Sequence, residues 1–140
     1  MSDLEQEEGT MLNLGIIGRP PEFTTGNNEN TLQKFFQAIN NNNVDAALEC
    51  CADNVKCVYP DRGRNWQGKE RGRVVMRGIF QLLQNSGQKA RYDIKSAVPG
   101  HIHTSENWGD GTNRTFRMVY EFNEDNKIVY METQLITRLS

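Results

Sequence analysis

The stretch from Thr31 to Pro60, TLQKFFQAINNNNVDAALECCADNVKCVYP, limits what this chain can fold into more than any other part. Leu32, Phe35, Phe36 and Ile39 fall at i, i+3, i+4 and i+7, which predicts a helix with one apolar stripe. Val44, Ala47, Leu48 and Cys51 repeat that spacing and predict a second, shorter helix. Asn40 to Asn43 lie between the two. Short polar side chains that bond their own backbone suit a break there. Val55, Cys57 and Tyr59 then alternate with Lys56 and Val58, a period of two that predicts a strand ending at Pro60.

The remaining elements follow the same logic. A loop rich in Gly and Arg leads to a third predicted helix over Arg73–Gln84. Val75, Ile79 and Leu82 share one row of it, and Met76, Phe80 and Leu83 the next. Gly78 inside that helix costs about 1 kcal/mol against Ala, so a close neighbour is expected there. Asn85-Ser86-Gly87 stops the helix, with Gly87 as a left-handed cap. Four strands are expected after it: one around Tyr92, Ile94, Ser96 and Val98, one over His101–Trp108, one around Phe116, Met118, Tyr120 and Phe122, and one over Lys127–Arg138. Turns fall at Pro99-Gly100, at residues 109–113 and at Asn123–Asn126. Helices first and a strand meander afterwards is an α+β pattern.

At 140 residues the chain suits one domain. Two segments are expected, residues 1–30 as an N-terminal extension and residues 31–140 as the folded domain. The extension opens with Asp3, Glu5, Glu7 and Glu8. It then carries an apolar patch of Leu12, Leu14, Ile16 and Ile17, so it reads either as a disordered tail or as a latch on the core or a partner. A net charge of -2 gives no general attraction to nucleic acid or acidic membrane. No apolar run approaches a membrane span. The acidic start is unlike a secretory signal, which points to the cytoplasm. Cys50, Cys51 and Cys57 form no C-x-x-C pair and are expected as buried free thiols.

Two segments carry a family resemblance. LQKFFQAINNNNVDAALECCADNVKCVYP, with Asp53, Asn54 and Val55 at the entry to a strand, resembles the opening of the nuclear-transport-factor-2-like superfamily. That superfamily includes SnoaL-like polyketide cyclases and ketosteroid isomerases. FRMVYEFNEDNKIVYMETQLI resembles its last hairpin, with Asn126 where a Gly is usual. The resemblance covers residues 31 to 138. It implies a cone-shaped (cystatin-like) fold, a curved antiparallel sheet packed on three N-terminal helices. It also implies a homodimer through the outer sheet face, supplied by Arg117, Val119 and Glu121 or by the opposite register.

Ketosteroid isomerases use a tyrosine, an aspartate base and a protonated aspartate in the cone. By local matching those positions fall on Phe35, Tyr59 and Met118, so the resemblance implies a cone stripped of its acids and no isomerase mechanism. Phe35, Tyr59, Phe80, Phe116, Met118 and Tyr120, with Trp66 near the mouth, either fill the core or line a pocket for a small hydrophobic molecule. His101 and His103 share one side of a strand. No third ligand has a spacing that points to them, so no metal and no cofactor are expected. A solvated or hydrogen-bonded pair is the plain reading. The catalytic alternative is His103 as general base with Tyr59 or Glu132, in an isomerase, cyclase or hydrolase. Between Asp61 and Arg77 lie six cationic and two acidic residues with Trp66 among them. This is either a solvated face or an anion site. The leading expectation is a SnoaL-like domain that binds a small hydrophobic molecule; a protein-interaction module is the remaining alternative.

Overall fold

The computed structural model describes residues 24–59, 65–108 and 114–138. The N-terminal patch at residues 12–17, Arg62, Arg64 and the turn at 109–113 lie outside the described residues. Three helices, α1 (Thr25–Asn40), α2 (Val44–Glu49) and α3 (Lys69–Ser86), cover one face of a six-stranded sheet. Its strands are β1 (Cys51–Val58), β2 (Trp66–Gln67), β3 (Arg91–Val98), β4 (His101–Asn107), β5 (Arg114–Phe122) and β6 (Ile128–Arg138), in the order β2-β1-β6-β5-β4-β3. The expected meander is β3 to β6. To it the fold adds β1, parallel to β6, and the short antiparallel edge β2. No helix of the described residues is long and apolar enough to cross a membrane.

The helix boundaries have local causes. α1 begins at Thr25, inside the segment expected as an extension. Thr24 caps it, its Oγ1 accepting the Asn27 N–H at 3.1 Å. The run of asparagines breaks the chain as expected. Asn42 takes a left-handed φ of 55°, and Asn43 caps α2 by accepting the Ala46 N–H at 3.0 Å. Gly87 closes α3 at φ 72°. The predicted stripes face the sheet except at Leu82, which is 70% exposed; Val75 and Ile79 of its row are only partly buried, and the row of Met76, Phe80 and Leu83 carries the packing. Leu32, Phe35, Phe36 and Ile39 meet Ala47 and Leu48 of α2, Met76, Phe80 and Leu83 of α3, and Ile102, Tyr120, Phe122, Ile128 and Met131 of the sheet. Burying one such large apolar side chain contributes about 1.5–3 kcal/mol.

The strand register separates the two faces. Ile102 lies opposite Tyr120, and Tyr120 opposite Met131, on the helix-covered side. His101 lies opposite Glu121, and His103 opposite Val119, on the other side. Arg117, Val119 and Glu121 therefore supply the outer face.

A network of buried amides fastens α1 to this sheet. Asn28, fully buried, accepts the Gly100 N–H at 2.7 Å and donates to Asn126 Oδ1 at 2.6 Å. Asn126 donates to Thr31 Oγ1 and to the Asn27 carbonyl, while Thr31 donates back to the Asn126 carbonyl. Asn126 sits at φ 63°, where a Gly would also fit, and its side chain explains the exchange. At the far end of α1, Asn40 donates to the Ala90 carbonyl at 3.0 Å and accepts the Ala90 N–H at 2.7 Å.

The expected close neighbour of Gly78 is absent: a Cβ there would meet nothing within 4 Å among the described residues. Gly72 is the tight position. A Cβ there would lie 2.7 and 2.9 Å from the six-membered ring of Trp66. Gly78→Ala should therefore stabilise the protein by up to about 1 kcal/mol through helix propensity. Gly72→Ala should destabilise it, with about 1–3 kcal/mol of overpacking outweighing that gain. Urea unfolding of the two variants checks this; midpoints moving in the same direction would refute it.

Candidate functional site

Strand β4 places two polar side chains on the helix-covered face. Ile102 fixes the phase, and Thr104 and Glu106 follow it inward at intervals of two; both are 1% exposed. A carboxyl group this deep must be hydrogen-bonded, because an unpaired buried charge costs several kcal/mol. Three donors meet it. Thr104 Oγ1 donates to Glu106 Oε2 at 2.7 Å, Trp108 Nε1 to Oε1 at 2.9 Å, and the Tyr120 hydroxyl to Oε2. Tyr120 is itself 1% exposed and stands edge-on to Phe35, centroids 6.5 Å apart.

These surroundings act on the proton of Glu106 in opposite directions. Removal from water is the larger effect and raises its pKa above the ordinary carboxylic acid value. The bonds from Tyr120, Trp108 and Thr104 pull it part of the way back. Tyr120 is pushed well above the usual phenol value by burial first and then by the neighbouring carboxylate. The expectation of a cone without acids is thus corrected: Glu106 lies in the buried interior. The three positions the family resemblance points to are 35, 59 and 118, and an acid at 106 falls outside them.

Glu106 also stands on the wall of a cleft of about 850 Å³ between α1 and the β3–β5 side of the sheet. Gln33, Gln37 and Asn40 line it from α1, on one face at helical spacing. Tyr92, Asp93 and Asn107 line it from the strands. Phe36 forms its apolar floor with Tyr92, ring centroids 4.5 Å apart, and Trp108 closes edge-on to Phe36 at 6.0 Å. Burial, then the charges of Glu29 and Glu106, raise the Tyr92 pKa. The walls are therefore rich in amides over an aromatic floor. This arrangement can grip a small amphipathic molecule, with one buried acid behind it.

The residues singled out from the sequence are distributed differently. Phe35, Trp66, Phe80, Met118 and Tyr120 belong to the packed core, and Tyr59 and Phe116 lie against its edge. None of the seven lines this cleft. Trp66 is not at a mouth. It is 6% exposed, packed under Gly72, and its Nε1 has no hydrogen-bond partner among the described residues. His103 is on the outer face, so it cannot act as a base inside the cone. Tyr59 is on the inner side at the end of β1, three strand positions and roughly 14 Å away. Its hydroxyl bonds Cys57 instead. Glu132, also outward, accepts from Tyr130 at 2.6 Å.

The three cysteines are buried free thiols; burial pushes Cys51 up to about 12 and Cys57 up to about 11, far from a reactive thiolate. In the basic stretch, Lys69 pairs with Asp53 at 3.5 Å and Arg73 with Asp45. Two of its cations thus face acids of this chain. The signal that could have found Glu106 is the phase of Ile102, the one strongly apolar residue of HIHTSEN.

Comparison with known proteins agrees with this architecture. The model of the SnoaL-like domain family matches residues 29–98. Among solved structures, a SnoaL-like protein of unknown function from Burkholderia thailandensis superposes with a TM-score of 0.67 at 18% identity, over 80% of this chain and 96% of that one. An uncharacterised cystatin-fold protein from Novosphingobium aromaticivorans gives 0.56 at 22% identity, over 77% and 97%. A candidate ketosteroid isomerase from Kribbella flavida gives 0.55 at 12% identity, over 83% and 82%. At these identities the likeness is one of fold. No curated protein matches.

The raised pKa of Glu106 has a sign that stability measurements can read. The folded state holds this proton more tightly than the unfolded chain does. Its contribution is full below the ordinary value of 4.5 and is lost as pH rises through the higher folded value. Wild-type stability relative to Glu106→Gln should therefore fall as pH rises from about 4.5 toward neutrality. A difference that is flat or rising with pH would contradict the assignment. Tyr120→Phe, which removes one donor, should cost about 1.5–3 kcal/mol at neutral pH by denaturant unfolding.

Proposed function

This chain belongs to the SnoaL-like domain family, and from that premise we propose that it binds a small amphipathic molecule in the cleft between α1 and strands β3–β5. The observation that carries this reading is Glu106, a sealed carboxyl group on the wall of an open cleft whose floor is aromatic. Ligand sites commonly combine an apolar surface with a few placed polar groups. Phe36 and Tyr92 offer the flat apolar surface, and Gln33, Gln37 and Asn107 offer amides at its rim. Relative to the expectation from sequence, the ligand is still small but the site has moved, from the filled centre of the cone to its α1 side.

A second reading, acid–base catalysis of the isomerase or cyclase kind, is favoured by one specific observation. Glu106 has its pKa raised by burial, and groups shifted in this way concentrate at functional sites. An ionised carboxylate has about four acceptor positions, and three donors reach Glu106 here. The remaining position is on Oε1, and a substrate proton would reach it only with displacement of the side chains that cover the acid, Tyr120 then steadying the charge. The structural neighbour from Kribbella flavida, a candidate ketosteroid isomerase, is consistent with such chemistry on this scaffold.

A panel of monocyclic aromatic alcohols and amides, added to labelled protein and followed by amide NMR shifts, tests the site. Perturbations at Gln33, Gln37, Tyr92 and Asn107, abolished by the cleft-filling variant Gln37→Trp, are expected. Shifts confined to β1 and α3, or no shifts with any compound, would overturn the proposal.

A further inference from the structure

The outer side of β4 carries a separate constellation. His101 and His103 lean together there, ring centroids 4.7 Å apart and planes 37° from parallel, with their Nε2 atoms 2.8 Å apart. Two ring nitrogens at this distance share one proton, so one donates and the other offers a lone pair. On the far side of His101, its Nδ1 lies 3.8 Å from Glu121 Oε2. A carboxylate in that position favours the tautomer with hydrogen on Nδ1. It thereby leaves a lone pair on the Nε2 that faces His103. Glu121 is about half exposed, and so is His101. Water can therefore reach the pair, and the rings are free to swing.

We propose that His101 and His103 form a two-imidazole site for a divalent cation of tetragonal preference, copper(II) above all, with Glu121 as the positioning residue that holds His101 in the ligating tautomer. The spacing is the first argument. Imidazole–metal bonds of about 2.0 Å meeting at the right angle of a tetragonal centre set their nitrogens about 2.8 Å apart. The separation found is 2.8 Å. The ligand type is the second argument, since imidazole suits copper and nickel and affinity peaks at copper. A cation that displaces the shared proton lies off the line between the two nitrogens, so both half-buried rings turn to aim their lone pairs at it.

Among the described residues, no three His, Cys, Asp or Glu side chains gather to hold a metal ion. The site therefore offers two protein ligands and leaves the other positions to water. It exchanges its ion with solution instead of stapling the fold. It is also independent of Glu106, which leaves the same strand on the opposite face.

The full chain without an affinity tag, titrated with copper(II) at neutral pH and read by electron paramagnetic resonance, tests this. One ion per chain should bind with hyperfine structure from two nitrogens. His101→Ala and His103→Ala should each weaken binding by about tenfold or more and leave a one-nitrogen signal, and the double variant should lose the site. Glu121→Gln should weaken binding by about tenfold, the low end for an outer partner of a ligating histidine, with both nitrogens retained. The proposal is overturned if the double variant binds copper as the wild type does, or if wild-type copper shows no paired nitrogen signal.

Discussion

Two asparagine side chains hold α1 against the sheet, one at each end, and the cleft takes its shape between them. Asn28 reaches two turns at once, the β3–β4 turn through Gly100 and the β5–β6 turn through Asn126. Asn40 makes both of its amide bonds to Ala90, just before β3. A primary amide carries donors and an acceptor on one short, stiff stem, so it can mimic a neighbouring backbone. Each such bond contributes only about 0.5–1.5 kcal/mol net, but a buried amide left unpaired costs more. The network is therefore selective. It penalises any placement of the helix that leaves Asn28 dry and unbonded.

A helix held in this way seals the inner face of the sheet, and the sealing accounts for the chemistry of Glu106. Phe35 and Phe36 lie in the middle of α1, over Tyr120 and Tyr92 respectively. They exclude water from the end of β4, where Thr104 and Glu106 point inward. Burial then raises the pKa of the acid, while Tyr120, Thr104 and Trp108 supply the bonds that water no longer can. Burial and the three donors act on one proton in opposite directions, and burial is the larger of the two. Beyond Phe36 the α1 surface turns to Gln33, Gln37 and Asn40, and the packed interior gives way to an open cleft.

The scaffold was legible from the sequence because its signals are apolar and periodic. Leu32, Phe35, Phe36 and Ile39 sit where their spacing puts them, and the meander follows its alternation except in β3, where a register shift after Ile94 turns Ala97 toward the core and leaves Val98 exposed. The site was less legible because its signals are polar. In HIHTSEN nearly every residue is hydrophilic, so the inward face cannot be told from composition, and the histidines drew attention by their chemistry. The register with β5 decides the matter: Ile102, Thr104 and Glu106 go in, and His101 and His103 go out. TGNNEN reads as a polar tail, yet it is the first turn and a half of α1, because Asn28 finds its partners 72 and 98 residues away. The start of α3 was hidden in the same manner. Lys69, Glu70 and Arg71 carry no stripe, so Gly72 lay outside the expected helix and its contact with Trp66 went unseen.

One strand thus serves two environments, and period two is the reason it can. Neighbouring residues of β4 are covalently adjacent but separated by the thickness of the sheet. The medium on each side determines what similar polar groups become. Inside, no water competes, so a single carboxyl group gathers three protein donors and its proton is governed by burial. Outside, water is present, and a carboxylate such as Glu121 acts at 3.8 Å as an orienting neighbour more than as a tight partner. An inward substitution on β4 must answer for lost bonds and packing in the core, whereas an outward one meets its cross-strand neighbours on a half-exposed face. Selection can therefore alter the outer histidines without disturbing the acid, and the acid without disturbing the histidines. A narrow strand in a small domain can in this way present two unrelated sets of polar groups, one on each face.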